Sequence, residues 1–264
     1  MARLRLYQID AFTSERFAGN PAAVVPLEAW LDDATMQAVA AENNVSETAF
    51  FVAAGDGFEL RWFTPELEVN LCGHATLASA FVLFRELDPA RTEVRFESRS
   101  GQLSVRQTGD RLVMDFPKWK LRPVADVPAA LVQGLGCEPR EVLMTETADN
   151  YVAVYERESE VRAITPRFER LSALHPAGVA ITAPGDGSDC ASRYFAPSWG
   201  VPEDPATGSI HCGLAPYWGE RLGKREVFAR QVSQRGAELY CEILENRVLV
   251  GGQAVKYLEG WIEV

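Results

Sequence analysis

Cysteine is scarce in this 264-residue chain, with five scattered from Cys72 to Cys241 and none in a Cys-x-x-Cys pair. That excludes a disulfide framework or a zinc ribbon and favours a reducing compartment. Long apolar runs are missing too. No stretch approaches the roughly 20 residues of a membrane span, and residues 1–10 lack the apolar core of a secretion signal. Positive charge is in deficit: 26 Lys and Arg stand against 37 Asp and Glu, a net charge of −11. A nucleic-acid partner would want the opposite sign. No Gly-x-Gly-x-x-Gly or P-loop pattern opens a helix, so no nucleotide cofactor is expected. His211 and Cys212 could be read with His74 as metal ligands. Their spacing fits no zinc site, and no metal is expected. These absences leave an acidic, cytoplasmic, globular protein with 47% apolar residues, enough for one large core or two modest ones.

What is present, first, is an echo. Residues 61–65 read Arg-Trp-Phe-Thr-Pro and residues 193–197 read Arg-Tyr-Phe-Ala-Pro, an offset of 132 that is half the chain. Ala75-Thr76 returns as Ala206-Thr207 after a one-residue slip, and Ser98 with Gly101 returns as Ser233 with Gly236. Shared order and spacing predict a tandem duplication, with halves at 1–118 and 119–264. The final strand, 253–264, could belong to either. Short β-branched or aromatic runs at 4–12, 22–27, 49–53 and 58–63 predict strands, as do 92–98, 103–107 and 111–116. Asp32–Asn44 reads as a surface helix. Gly73–Leu87 would be apolar on every face, so it predicts a helix buried all round. Its counterpart is expected from Ala206 to Leu222, kinked or shortened by Pro216. A helix apolar all round needs a wrapping sheet. The expected fold is therefore α+β, two pseudo-symmetric halves, each a strongly curved, mostly antiparallel sheet around one central helix. The segment 117–128 reads as the linker.

Both echoed segments run a strand into proline, cross a short loop and open a helix through a small residue. Cys72-Gly73-His74 and Asp204-Pro-Ala-Thr-Gly208-Ser209 place backbone amides at helix N-termini, which attract carboxylates and oxyanions. Two such helix starts facing one another would make one anion-binding site; alone, each is an ordinary strand–helix turn. Glu47 stands between a helix end and the apolar run 49–53. A carboxylate there loses solvation, which shifts its pKa toward the range useful for acid/base work. The plainer alternative is a surface Glu in a turn. Asn20, before Pro21, either closes a turn or points into the site. His175, before Pro176, reads as structural.

Five motifs together resemble the phenazine-biosynthesis PhzF family: Asn20-Pro-Ala-Ala-Val-Val, Val45-Ser-Glu-Thr-Ala-Phe, Arg61-Trp-Phe-Thr-Pro, Cys72-Gly-His-Ala-Thr and Asp204-Pro-Ala-Thr-Gly-Ser. They occur in family order over nearly the whole chain. The resemblance implies a diaminopimelate-epimerase-like fold, a homodimer, and a cofactor-independent isomerase of a small carboxylate-bearing metabolite. It makes Glu47 the acid/base, with His74, Asp204 and Ser209 lining the site and the amides of Gly73 and Gly208 cradling the substrate. Related epimerases use two cysteines, one at each helix start. Cys72 stands where the first would be, but Asp204 stands where the second would be. No two-thiol relay is expected, and Cys72 reads as a small residue filling the turn. Two other readings stay open: a binding or interaction protein on the same fold, and a one-thiol epimerase using Cys72.

Overall fold

The computed structural model describes residues 2–146 and 150–264. The chain divides into two units, Met1–Asp115 with Gly251–Val264, and Phe116–Val250.

In the first unit the apolar runs become one mixed sheet. Strands Arg3–Ala11 and Asn20–Leu27 pair antiparallel, and Asn20–Leu27 pairs parallel with Glu47–Ala54. Gly57–Phe63 follows antiparallel, then Glu93–Ser98 parallel, then Gly101–Thr108 and Arg111–Pro117 antiparallel. A parallel pair needs a crossover, and the helix Asp33–Asn43 supplies the first one. Asp32 caps it, its carboxylate accepting the Thr35 amide at 2.9 Å, and Asn44 closes it at φ 48°. The central helix Gly73–Val82 is buried along nearly all its length, and its continuation as a wider turn, Leu83–Leu87, emerges at Arg85 and Leu87, short of the expected burial to its end. It packs on strands from Ala254–Glu263 through Gly101–Thr108, so the sheet curls around it. The opposite face of the sheet is covered as well: Ala23, Val25 and Phe50 meet Met36, Val39 and Ala40 of the first helix. Burial on both faces is why Ala22 to Val25 is continuously apolar instead of alternating.

The C-terminal strand Ala254–Glu263 pairs with Arg3–Ala11 from Ala11↔Ala254 to Arg3↔Glu263. It therefore belongs to the first unit, and the second ends at Val250, not at Val264.

The second unit repeats the order of pairings. Glu141–Thr145 and Asn150–Val154 are antiparallel, Gly178–Pro184 follows parallel and Cys190–Ala196 antiparallel. Glu226–Gln231 is again parallel and Ala237–Ile243 antiparallel. Three sequence expectations are corrected here. The segment 117–128 is not a bare linker: Leu121–Pro123 pairs with Leu143–Thr145 and extends this sheet. The central helix runs His211–Leu222, starting five residues later than Ala206, because Gly208 to Ile210 form a tight turn first. In that turn the His211 amide donates to the Gly208 carbonyl at 3.2 Å, and the Cys212 amide to the Ser209 carbonyl at 3.0 Å. Pro216 does not shorten the helix. Having no N–H, it leaves the Cys212 carbonyl without its partner one turn later, and the Trp119 amide donates to that carbonyl at 3.0 Å. Among the described residues no helix is long and apolar enough to cross a membrane.

Candidate active site

Each unit reaches its central helix through the same clamp. In the first, the Arg61 guanidinium donates to both carboxylate oxygens of Glu68, at 2.7 and 2.8 Å, and lies 5.2 Å from the Phe63 ring centroid. In the second, Arg193 donates to both oxygens of Glu203 at 2.8 Å and lies 5.0 Å from the Phe195 ring centroid. Arg193 also donates to the carbonyls of Val161 and Ile164, at 3.1 and 2.7 Å. Planar two-pronged pairs of this kind fix geometry as well as charge. They hold Glu68–Val69 and Val201–Asp204 against the preceding strands, at the approach to Cys72 and Asp204. Both arginines open the echoed pentapeptide, which was the available signal. The partners were hidden because the separations differ, seven residues in one unit and ten in the other.

The first helix start gathers four polar side chains. Glu47 opens a strand, opposite Ala22, and His74 is the second residue of the central helix. Glu47 Oε2 lies 2.9 Å from His74 Nε2. On the other side of the ring, the Asn20 amide is 3.1 Å from Nδ1. The Cys72 sulfur is 3.5 Å from the same Nδ1. Asn20 is fully buried, and His74 and Cys72 are 4% and 6% exposed. Gly19 makes the approach of Asn20 possible: its φ is +64°, and a Cβ there would stand 2.2 Å from the Ala11 carbonyl oxygen. Sequence reasoning left Asn20 open and read Cys72 as a turn filler; both side chains in fact touch the His74 ring.

The electrostatics of this cluster favour the carboxylate over the thiol. Burial by itself pushes the His74 imidazole down, but its interactions with Cys72 and Glu47 outweigh it, and His74 sits well above its ordinary range. Burial, together with the Glu47 charge, pushes the Cys72 thiol up to about 11, so it is protonated at neutral pH. The charge acting on His74 there is that of Glu47. Glu47, Cys72 and His74 also bring one ligand atom each within 4.8 Å of one another. The sequence spacing concealed this grouping, because Glu47 comes from a different element.

The second helix start is organised around Thr207. Its hydroxyl donates to Asp204 Oδ2, and its amide donates to the buried Gln231 side-chain oxygen at 2.8 Å. The Gln231 amide nitrogen in turn donates to the Asp204 carbonyl at 2.6 Å. His211 Nδ1 donates to the Thr207 carbonyl at 2.8 Å, leaving Nε2 to accept the Ser192 hydroxyl at 3.4 Å. Burial pushes His211 down to about 4, so it is a neutral brace for this loop. Gly208 and Ser209 lie in the turn before the helix, and Gly73 opens the first central helix. His175 packs on Trp199, ring centroids 5.2 Å apart, and belongs to neither cluster.

Two units of one topology, each with a sheet around a central helix, define the class: a diaminopimelate-epimerase-like α+β fold. A hydroxyproline epimerase of Agrobacterium vitis shares it at a TM-score of 0.65 and 11% identity, covering 99% of this chain and 91% of that one, a likeness of fold alone. The chain belongs to the phenazine biosynthesis-like (PhzC-PhzF) protein family, whose profile matches residues 9–260. It is 49% identical over 261 residues to an uncharacterized isomerase of Pseudomonas aeruginosa, with 99% of each chain covered. The crystal structure of a PhzF family protein from Enterococcus faecalis is similar at a TM-score of 0.94 and 44% identity, covering 100% of both chains.

Proposed function

We propose that this protein is an isomerase that moves a proton within a small carboxylate-bearing metabolite, with Glu47 as the general acid/base. The pair of partly buried Glu47 and buried His74, 2.9 Å apart beside a protonated Cys72 thiol, carries the reading. Glu47 takes the proton from an activated carbon and returns it elsewhere on the same molecule. His74 holds the carboxylate in place and relays the proton. The net formula is unchanged, so the reaction needs no cofactor. Asp204 positions the substrate or shuttles a proton, Ser209 donates a hydrogen bond, and the Gly73 and Gly208 amides hold the carboxylate or the charge that develops on it. Those roles rest on the match of both motifs to the family. The names of the relatives support the isomerase class. A homodimer and a cytoplasmic location go with this reading, and light scattering tests the first.

The decisive experiment is a screen of small aromatic and aliphatic amino and hydroxy acids for deuterium incorporation from deuterated water. A substrate exchanges with the wild type. Glu47→Gln loses roughly 10²–10⁴-fold of that rate, the usual contribution of a general acid/base. Cys72→Ser keeps most of it. Near-normal exchange by Glu47→Gln would transfer the chemistry to the thiol, and binding without any exchange would make the protein a binder.

A further inference from the structure

The second unit carries a cavity that the proton shift does not use. We propose that it is a binding site for a small aromatic anion, a flat ring system bearing a carboxylate, sulfonate or phosphate, separate from the candidate active site. The cavity holds about 580 Å³, within the roughly 300–1,000 Å³ usual for small-molecule sites. Its floor is the body of the helix His211–Leu222, from Gly213 to Glu220. Every lining residue belongs to the second unit, and Asp204, Gly208 and Ser209 are not among them.

Two walls rise from this floor, and backbone contacts hold both. On one side the Trp119 amide donates to the Cys212 carbonyl at 3.0 Å, which lays Lys118 to Leu121 along the helix. A Cβ on Gly213 would stand 3.0 Å from Leu121 Cδ2, so the glycine lets that wall come close. On the other side the Lys224 amide donates to the Gly219 carbonyl at 2.9 Å, and the Ile243 amide to the Arg225 carbonyl at 2.8 Å. A Cβ on Gly219 would stand 2.3 Å from Ile243 Cδ1 and 2.8 Å from the Lys224 carbonyl oxygen. The site is thus shaped before any ligand arrives, which spares the ligand the cost of ordering it.

The lining has two chemistries. Trp119, Leu121, Tyr217 and Ile243 give it aromatic and apolar surface. Beside them stand four cations and one carboxylate, Glu220, in a chain where 37 acidic residues outnumber 26 basic ones. Lys224 is engaged by Asp189. Lys118 donates to the Glu245 carbonyl at 3.4 Å, and among the described residues the Lys120 and Arg225 side chains have no partner. Cations without carboxylates around an apolar cleft fit an anion with an apolar body. A bare phosphate would leave the aromatic surface wet, and a nucleic acid would be repelled by the net charge of −11.

Fluorescence titration of the full-length protein tests the site with two probes. One is 8-anilinonaphthalene-1-sulfonate, an aromatic anion that brightens in apolar surroundings; the other is N-phenyl-1-naphthylamine, the same skeleton without the charge. The sulfonate should saturate at one molecule per chain and weaken as salt is added. It should bind at least about 10-fold more tightly than the neutral amine, roughly the worth of one charged hydrogen bond. Lys120→Glu and Arg225→Glu should each weaken the sulfonate about 10-fold, by the same reasoning. Arg106→Glu, at an exposed cation of the first unit, should leave it unchanged. Equal affinity for the two probes would overturn the proposal. So would reversals at Lys120 and Arg225 without effect, because the sulfonate would then be bound elsewhere. All three substituted residues are exposed, and the comparison of probes needs no substitution. Binding is read without a substrate, so a protein that takes the sulfonate here but exchanges no deuterium refutes the isomerase reading and leaves this site standing.

Discussion

Replacing Glu47 by Gln should reverse the direction in which His74 is displaced from its ordinary pKa. The change keeps the shape and removes the charge 2.9 Å from Nε2. Two unit charges at that distance interact by about 6 kcal/mol at an effective dielectric of about 20, a ceiling on the support that Glu47 gives the imidazolium. Once it is gone, burial dominates, because the Cys72 thiol beside the ring carries no charge at the pH where an imidazole titrates. His74 should then titrate below 6.5 instead of well above it. The chain has three histidines, so the ring C–H resonances can be followed individually by NMR. The linkage has a sign. In the wild type the raised folded value makes His74 stabilising below pH 6.5, and that stability is lost as pH rises through the folded value. In Glu47→Gln the folded value is the lower one, so the His74 contribution is lost as pH falls below 6.5. Urea denaturation at a series of pH values should show the two slopes opposed. A wild-type His74 midpoint below 6.5, or one that Glu47→Gln leaves in place, would refute this account of the site.

Three further outcomes follow from the same geometry. Asn20→Leu removes the amide 3.1 Å from His74 Nδ1, should cost about 0.5–1.5 kcal/mol for the buried hydrogen bond lost, and is read by the urea midpoint together with the His74 resonance. His211, neutral and held at about 4, should make the protein lose about 3 kcal/mol as pH falls from 6.5 to 4, since the unfolded chain takes the proton first. His211→Gln should flatten thermal stability over that window, and an unchanged slope would show that His211 is not buried neutral. Arg193→Lys exchanges a two-pronged pair with Glu203 and two carbonyl contacts for one point charge. It should cost about 1.5–3 kcal/mol in urea denaturation, and a loss below about 0.5 kcal/mol would mean the clamp is only a surface ion pair.

Much of this protein is written locally. The helix Asp33–Asn43 follows from its Asp32 cap and its apolar spacing, and the buried helix at Gly73 follows from a composition with no polar face. The duplication was legible as an offset of 132 because each half must rebuild the same strand–loop–helix step. Gly73, His74, Asp204, Gly208 and Ser209 stood out as candidates for the same reason, and Glu47 as a carboxylate at the mouth of an apolar run. What stayed hidden depends on register and crossover, which no short window contains. The parallel pairing of Asn20–Leu27 with Glu47–Ala54 sets Ala22 beside Glu47, and with the turn at Gly19 it brings Asn20 onto a ring 54 residues away in sequence. Glu47 became a neighbour of Cys72 and His74 only when the helix start was placed against that strand. The same holds for the Arg–Glu clamps, whose loop lengths differ, and for Trp119, which satisfies the carbonyl that Pro216 strands. The C-terminal strand has the clearest physical reason. Its own sequence does not choose between the sheets, and it joins the first unit because Arg3–Ala11 offers it an antiparallel ladder from Ala11↔Ala254 to Arg3↔Glu263.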